Sequence, residues 1–218
     1  MLLTRYGIRE WGAATVAALL AAALLAWAGL WWWIIAPGVL WFAVAGFFRD
    51  PLFRTPATTD ANDLVSPADG TISAIERLPS HEATNGEPAL VIRIFLSVLN
   101  VHINRAPCAG RVTSITHRPG KYLDARSAES AKVNESNMLV LETASGAPIG
   151  IRQISGAIAR RIVCPVSVGH DLARGERYGM IKFGSTTELI VRDIEGTAPL
   201  VKPGDTVRGG MTILTRIP

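Results

Sequence analysis

GMIKFGSTTELIV, from Gly179 to Val191, places Gly184-Ser185 between two short runs of apolar and β-branched residues. Each run is too short for a helix and reads as a strand. Taken alone, the Gly-Ser pair reads as a tight turn. The same rhythm extends outward in both directions. Short apolar runs alternate with Gly, Pro, Asn and Asp turns at Gly70–Ile75, Ala89–Leu96, Asn100–Asn104, Gly110–His117, Asn137–Glu142, Ile149–Ile154, Ala159–Val163, Gly179–Phe183, Glu188–Val191 and Thr206–Leu214. The pattern predicts a mainly β domain, barrel- or sandwich-like. Its longest non-strand stretch, Asp124 to Asn137, is read as a helix or a functional loop. Two turns look alike, SPADGTI (Ser66–Ile72) and KPGDTV (Lys202–Val207). Such elements occur in lipoyl/biotinyl-like modules, although no lysine stands where a lipoyl carrier needs one.

The N-terminal fifth has a different character. No charged residue occurs between Glu10 and Arg49, a run of 38 residues rich in Ala, Leu and Trp. A signal peptide has a much shorter apolar region, and a single span needs about 20 residues. Pro37-Gly38 punctuates the run and predicts a long arm (Trp11 to Ala36) and a short arm (Val39 to Phe48). A helical hairpin in the bilayer fits this division, as does one span followed by an interfacial helix. Trp31, Trp32, Trp33 and Trp41 favour a membrane–water interface. A hairpin puts Arg5, Arg9, Arg49 and Arg54 on one side, which the positive-inside rule makes cytoplasmic. RDPLFRTP then reads as a linker. The expected organisation is a membrane-associating helical segment over residues 1–50 and a β-rich domain over 51–218.

Composition narrows the function classes. The net charge is +4, with a pI near 9.4 and mean hydropathy of +0.27. Disorder is excluded by this hydropathy. The basic bias suits an anionic membrane surface or substrate. A nucleic-acid partner is not expected, because the one tight basic pair is Arg160-Arg161 and such binders carry dense Lys/Arg clusters. Cys108 and Cys164 are too few for a disulfide scaffold and match no C-x-x-C spacing, so free thiols and no metal site are expected.

Four histidines are present: His81, His102, His117 and His170. His102, in NVHIN, is the candidate general acid or base, since an imidazole titrates near working pH. Asp69, in SPADG, is the candidate partner that would orient it. Arg160 and Arg161 are candidates to bind a lipid phosphate. Adjacent strand residues face opposite ways, so at most one of the two would face a site.

Four motifs stand in order: SPADG at Ser66–Gly70, SVLNVHINRAP at Ser97–Pro107, HRPGKYLDA at His117–Ala125 and FGST at Phe183–Thr186. With the apolar N-terminal anchor, this set resembles the short-form phosphatidylserine decarboxylases over nearly the whole chain. The resemblance implies a zymogen that severs itself, with Ser185 attacking the carbonyl of Gly184. The products would be a β chain of residues 1–184 and an α chain of residues 185–218, held together as a heterodimer with room for a higher oligomer. Ser185 would become a covalent pyruvoyl group, without metal or pyridoxal phosphate. That group would form a Schiff base with phosphatidylserine and release carbon dioxide to give phosphatidylethanolamine. The location implied is the cytoplasmic face of the cell membrane. Asn134, of an Asn-Glu pair shared with the family, would be a substrate contact in the polar loop. Longer family members carry H-x-x-H, and here the second histidine is replaced by Arg105, which leaves open which group is the base for self-cleavage. Without the resemblance, the same turns also suit a non-catalytic membrane-tethered β module of carrier or adaptor type. A pyruvoyl decarboxylase for another headgroup is the remaining alternative.

Overall fold

In the computed structural model, which describes residues 2–127, 129–157, 161–182 and 184–218, the apolar segment reverses at Ala28–Leu30 and not at Pro37-Gly38. Helix α1 (Ile8–Trp27) is followed by a 3-10 turn, Trp31–Ile34, and then by α2 (Ile35–Phe47). Gly29 makes the reversal with φ of +74°, a left-handed conformation that only glycine adopts without strain. Pro37 is the third residue of α2. Amides of a first helical turn lack intrahelical partners, so a proline is tolerated there and punctuates nothing. Strand β1 (Leu2–Leu3) pairs with β2 (Arg49–Asp50), which ties the two ends of the hairpin together.

The chain divides into two compact units, Met1–Phe53 and Arg54–Pro218. The second is mainly β. Its strands are β3 (Asp63–Val65), β4 (Gly70–Leu78), β5 (Ala89–Leu96), β6 (Ile103–Arg105), β7 (Gly110–Arg118), β8 (Ser136–Glu142), β9 (Pro148–Ile154), β10 (Ile162–Val163), β11 (Asp171–Leu172), β12 (Arg177–Ile181), β13 (Ser185–Arg192), β14 (Ala198–Pro199), β15 (Thr206–Val207) and β16 (Ile213–Arg216). A curled antiparallel sheet of eight strands runs β11-β7-β8-β9-β13-β5-β4-β15. Two three-stranded sheets, β10-β12-β6 and β14-β16-β3, complete the domain. The look-alike turns lie side by side, since β15 pairs with β4 through Thr206–Thr71 and Val207–Gly70. In the polar stretch after Asp124, one helical turn, α3 (Ser130–Val133), forms.

Strand β13 lies at the centre of the large sheet, between β9 and β5. The sequence marks a strand only over Glu188–Val191, but pairing begins at Ser185. The added residues are polar and yet buried, and the hydroxyls of Thr186 and Thr187 find partners. Thr186 donates to the carbonyl of Ala125, and Thr187 accepts from Asn104. Glu188 is 1% exposed and is flanked across both neighbouring strands by Arg93 and Arg152, at 2.8 and 2.6 Å. One face of β13 packs Leu189 and Val191 into the main core with Leu90, Ile92, Ile94, Leu139, Leu141 and Ile151. Burying such side chains is worth roughly 1.5–3 kcal/mol each, and it fixes the register that sets Ser185 in place.

Candidate active site

Ser185 begins β13 opposite Leu96, the last residue of β5. Its side chain is fully buried, and its Oγ has no hydrogen-bond partner among the described residues. A buried hydroxyl normally finds a partner, because leaving one unmade costs about 1–3 kcal/mol. Gly184 before it has φ of +66°. A side chain there would have room, with Val98 Cγ2 at 3.8 Å. Glycine is needed at position 184 for its backbone conformation and not for space.

A second glycine packs against this junction. A Cβ on Gly156 would lie less than 3.0 Å from the carbonyl oxygen of Gly184 and 3.2 Å from its carbon. Gly156 follows β9, the other neighbour of β13. The Gly184 carbonyl is thus wedged against bare backbone. Nothing in the sequence singles out Gly156, because the requirement comes from a residue 28 positions away.

His102 is fully buried just before β6. Its Nε2 accepts the N–H of Gly184 at 3.1 Å. Its Nδ1 lies 3.0 Å from the carbonyl oxygen of Asn100. A carbonyl can only accept and an amide N–H can only donate, so these two contacts define the neutral ring with the proton on Nδ1. The Nε2 lone pair therefore points at the amide of the residue that precedes Ser185. The turn holding Asn100 is itself tied down: the Asn100 Oδ1 accepts from the Ser97 N–H at 2.9 Å and the Ser97 Oγ at 2.7 Å.

Asp69 does not orient the imidazole. Its carboxylate pairs with Arg54, with Nη2 at 2.7 Å, and accepts the Gly209 N–H at 2.8 Å. Triad logic fails here because the backbone carbonyl of Asn100 occupies the position on Nδ1 that a carboxylate would take. Asp69 instead joins the SPADG turn to the turn before β16. Arg105, at the end of β6, reaches away to the Gly175 carbonyl at 2.9 Å.

Asn134 is 5% exposed, and its amide is committed to backbone. It accepts the Leu123 N–H and donates to the carbonyls of Leu123 and Ser155, all at 2.8–2.9 Å. It clamps the loop after Lys121 to the end of β9 and presents no amide group to a ligand. Arg161 is exposed. Arg160 lies outside the described residues.

The junction opens on a cavity of about 400 Å³ lined by Phe95, Leu96, Ser97, Val98, Asp124, Ala125, Arg126, Ala157 and Gly184. Arg126 pairs with Asp124 at 2.6 Å, which holds the Asp124 carboxyl down at about 2. Behind the junction lies a buried chain of side-chain amides. Asn104, on β6, donates to Thr187 Oγ1 at 3.0 Å and accepts from Gln153 at 2.9 Å. Gln153 in turn accepts from Asn137 at 3.1 Å. Sequence reasoning missed Asn100, Asn104, Gln153 and Thr187, whose polar side chains read as ordinary strand or turn residues. Cys108 is no rival nucleophile, because burial pushes its thiol up to about 12.

Comparison with known proteins bears on this geometry. A family model described as phosphatidylserine decarboxylase matches residues 42–215. A phosphatidylserine decarboxylase proenzyme of Pelobacter propionicus is 46% identical over 172 residues, covering 78% of this chain and 75% of its own. A proenzyme of the same name from Nitratidesulfovibrio vulgaris is 43% identical over 187 residues, covering 84% and 83%. Another from Magnetococcus marinus is 39% identical over 186 residues, covering 85% and 80%.

Proposed function

The chain belongs to the phosphatidylserine decarboxylase family, and on that premise we propose that it converts phosphatidylserine to phosphatidylethanolamine after cutting itself between Gly184 and Ser185. One observation carries this reading: a buried serine hydroxyl without a partner among the described residues follows a left-handed glycine whose N–H rests on a histidine.

The steps use the chain's own atoms. Ser185 Oγ attacks the Gly184 carbonyl carbon and passes its proton to a base, a role we assign to His102, whose Nε2 is held at the N–H of the adjoining Gly184. The peptide C–N bond breaks and an ester forms. Loss of the Ser185 α-proton then expels residues 1–184 as a carboxylate. The dehydroalanine left on residue 185 takes up water and releases ammonia, giving the pyruvoyl end of residues 185–218. The buried position of residue 185, beside the cavity at Gly184, fits that group. Once formed, that group would supply a carbonyl for the amine of the substrate and an electron sink for the pair freed as carbon dioxide leaves. His102, held by Asn100, keeps a proton-transfer group at the same place. Asp69 and Asn134 act as positioning residues. Arg126, at the cavity, and Arg161 are candidates for the lipid's anionic headgroup. The membrane-facing unit keeps the domain where its substrate lies, at the cytoplasmic face by the positive-inside rule.

Intact mass of the purified chain tests the reading. Two chains are expected, the smaller with a blocked N-terminus, and phosphatidylserine decarboxylation should accompany them. Ser185→Ala should stay whole and inactive. His102→Ala should slow cleavage by 100-fold or more, in the range typical of a lost acid–base group. A single uncut chain with full activity would overturn the proposal.

A further inference from the structure

The hairpin of α1 and α2 has a polarity that composition alone does not show. Its two ends are clasped: besides the β1–β2 pairing, the Thr4 N–H donates to the Phe48 carbonyl at 2.8 Å. Both ends therefore lie on one side of whatever the hairpin enters. Between Trp11 and Phe48 the sole hydroxyl or charged side chain is Thr15. It is satisfied internally, donating to the Trp11 carbonyl at 2.7 Å and accepting the indole N–H of Trp41 at 2.8 Å. The Trp11 indole donates to the Thr4 carbonyl at 3.0 Å.

The other four tryptophans, Trp27, Trp31, Trp32 and Trp33, surround the reversal. They are 65–88% exposed, and their indole N–H groups have no partner among the described residues.

Three placements of such a hairpin compete. Lying flat on the membrane needs one polar face along each helix, and neither arm has one past Glu10. Stopping at the bilayer centre would strand four indole N–H groups, and the backbone of a helix end, in hydrocarbon that offers no partners. Full penetration satisfies all of them. The uncharged part of α1, Trp11–Trp27, has 17 residues and a length of about 25 Å, near the thickness of the hydrocarbon core. The return arm, Trp31–Phe47, has the same length, and local thinning absorbs the small mismatch.

We infer that the hairpin crosses the whole bilayer and returns, with Trp27, Trp31, Trp32 and Trp33 anchored among the headgroups of the leaflet opposite the one its ends enter. The occupant of its apolar surface is lipid, and the tip is a second interfacial anchor on the far side. This placement is independent of the decarboxylase reading.

The test uses the full-length protein in sealed phosphatidylcholine vesicles, collected by a C-terminal tag so that the domain faces outward. A Trp32→Cys thiol should resist a membrane-impermeant maleimide, and react at least tenfold faster once the vesicles are made porous. An Asn62→Cys thiol, on the exposed domain surface, should react before and after, with the wild-type chain correcting for Cys164. Reaction of Trp32→Cys in sealed vesicles would put the tip on the domain's side and overturn the inference. No reaction in either state would put it in hydrocarbon and also overturn it. Because all six tryptophans belong to the hairpin, the unaltered chain gives a second readout. Iodide trapped inside the vesicles should quench its fluorescence, and absence of quenching would refute the crossing.

Discussion

Replacing Gly156 by alanine tests the wedge at the Gly184 carbonyl. Gly156 is not in a left-handed conformation, so the backbone tolerates alanine and the effect is purely steric. The new methyl would sit under 3.0 Å from the Gly184 oxygen and 3.2 Å from Ala125 Cβ. Ordinary contact needs 3.4 Å or more, so the carbonyl must retreat by about an ångström, an overpacking strain of about 1–3 kcal/mol. A misplacement of about 1 Å from attack geometry can cost ~10²-fold in rate. Gly156→Ala should therefore slow self-cleavage by about 10- to 100-fold, or ~1.4–2.7 kcal/mol of barrier. Gly110→Ala is the control. Its methyl would meet the Glu142 carbonyl at 2.7 Å, a similar clash in β7, remote in the sheet from the junction. Both variants should lose comparable stability by denaturant titration in a Ser185→Ala background, while only Gly156→Ala slows chain splitting on a gel time course. Equal cleavage rates in the two variants, or wild-type cleavage in Gly156→Ala, would refute the reasoning.

Two further outcomes are expected. Asn104→Leu and Thr187→Val each leave a buried polar partner unmade, so each should cost about 1–3 kcal/mol. The double variant should show a coupling near 1 kcal/mol in the same Ser185→Ala background, and additivity within ~0.3 kcal/mol would dismiss their hydrogen bond. His81 supplies a pH effect. Burial, with Arg152 and Arg118 nearby, depresses its pKa below 6.5 against the opposing pull of Glu82 and Glu188, and its neutral Nδ1 accepts the Ala83 N–H at 3.0 Å. Below pH 6.5 the unfolded state binds the extra proton first, so stability should fall as pH drops through that value. His81→Asn, which keeps an acceptor but does not titrate, should show a shallower decline between pH 7 and 5. Identical slopes by thermal melts would remove His81 from the pH dependence.

The sequence alone determined what depends on neighbours in the chain. Periodicity located most strands to within a few residues, because alternation of apolar and polar side chains is local. The charge-free run announced the apolar hairpin, and the four motifs announced the family. Reversal at Gly29 was missed because a Pro-Gly pair is strong punctuation only outside the first turn of a helix. Tertiary structure decided the rest. Ser185–Thr187 read as a turn, since hydroxyls look like loop residues until, across the fold, the Ala125 carbonyl accepts from Thr186 and Asn104 donates to Thr187. Asp69 seemed a partner for His102 by residue type, but the Asn100 carbonyl holds that place. Gly156 gained its importance from a carbonyl 28 residues away. Hydrogen bonds and steric exclusion act over a few ångströms of space, and only the folded chain sets which distant residues come that close.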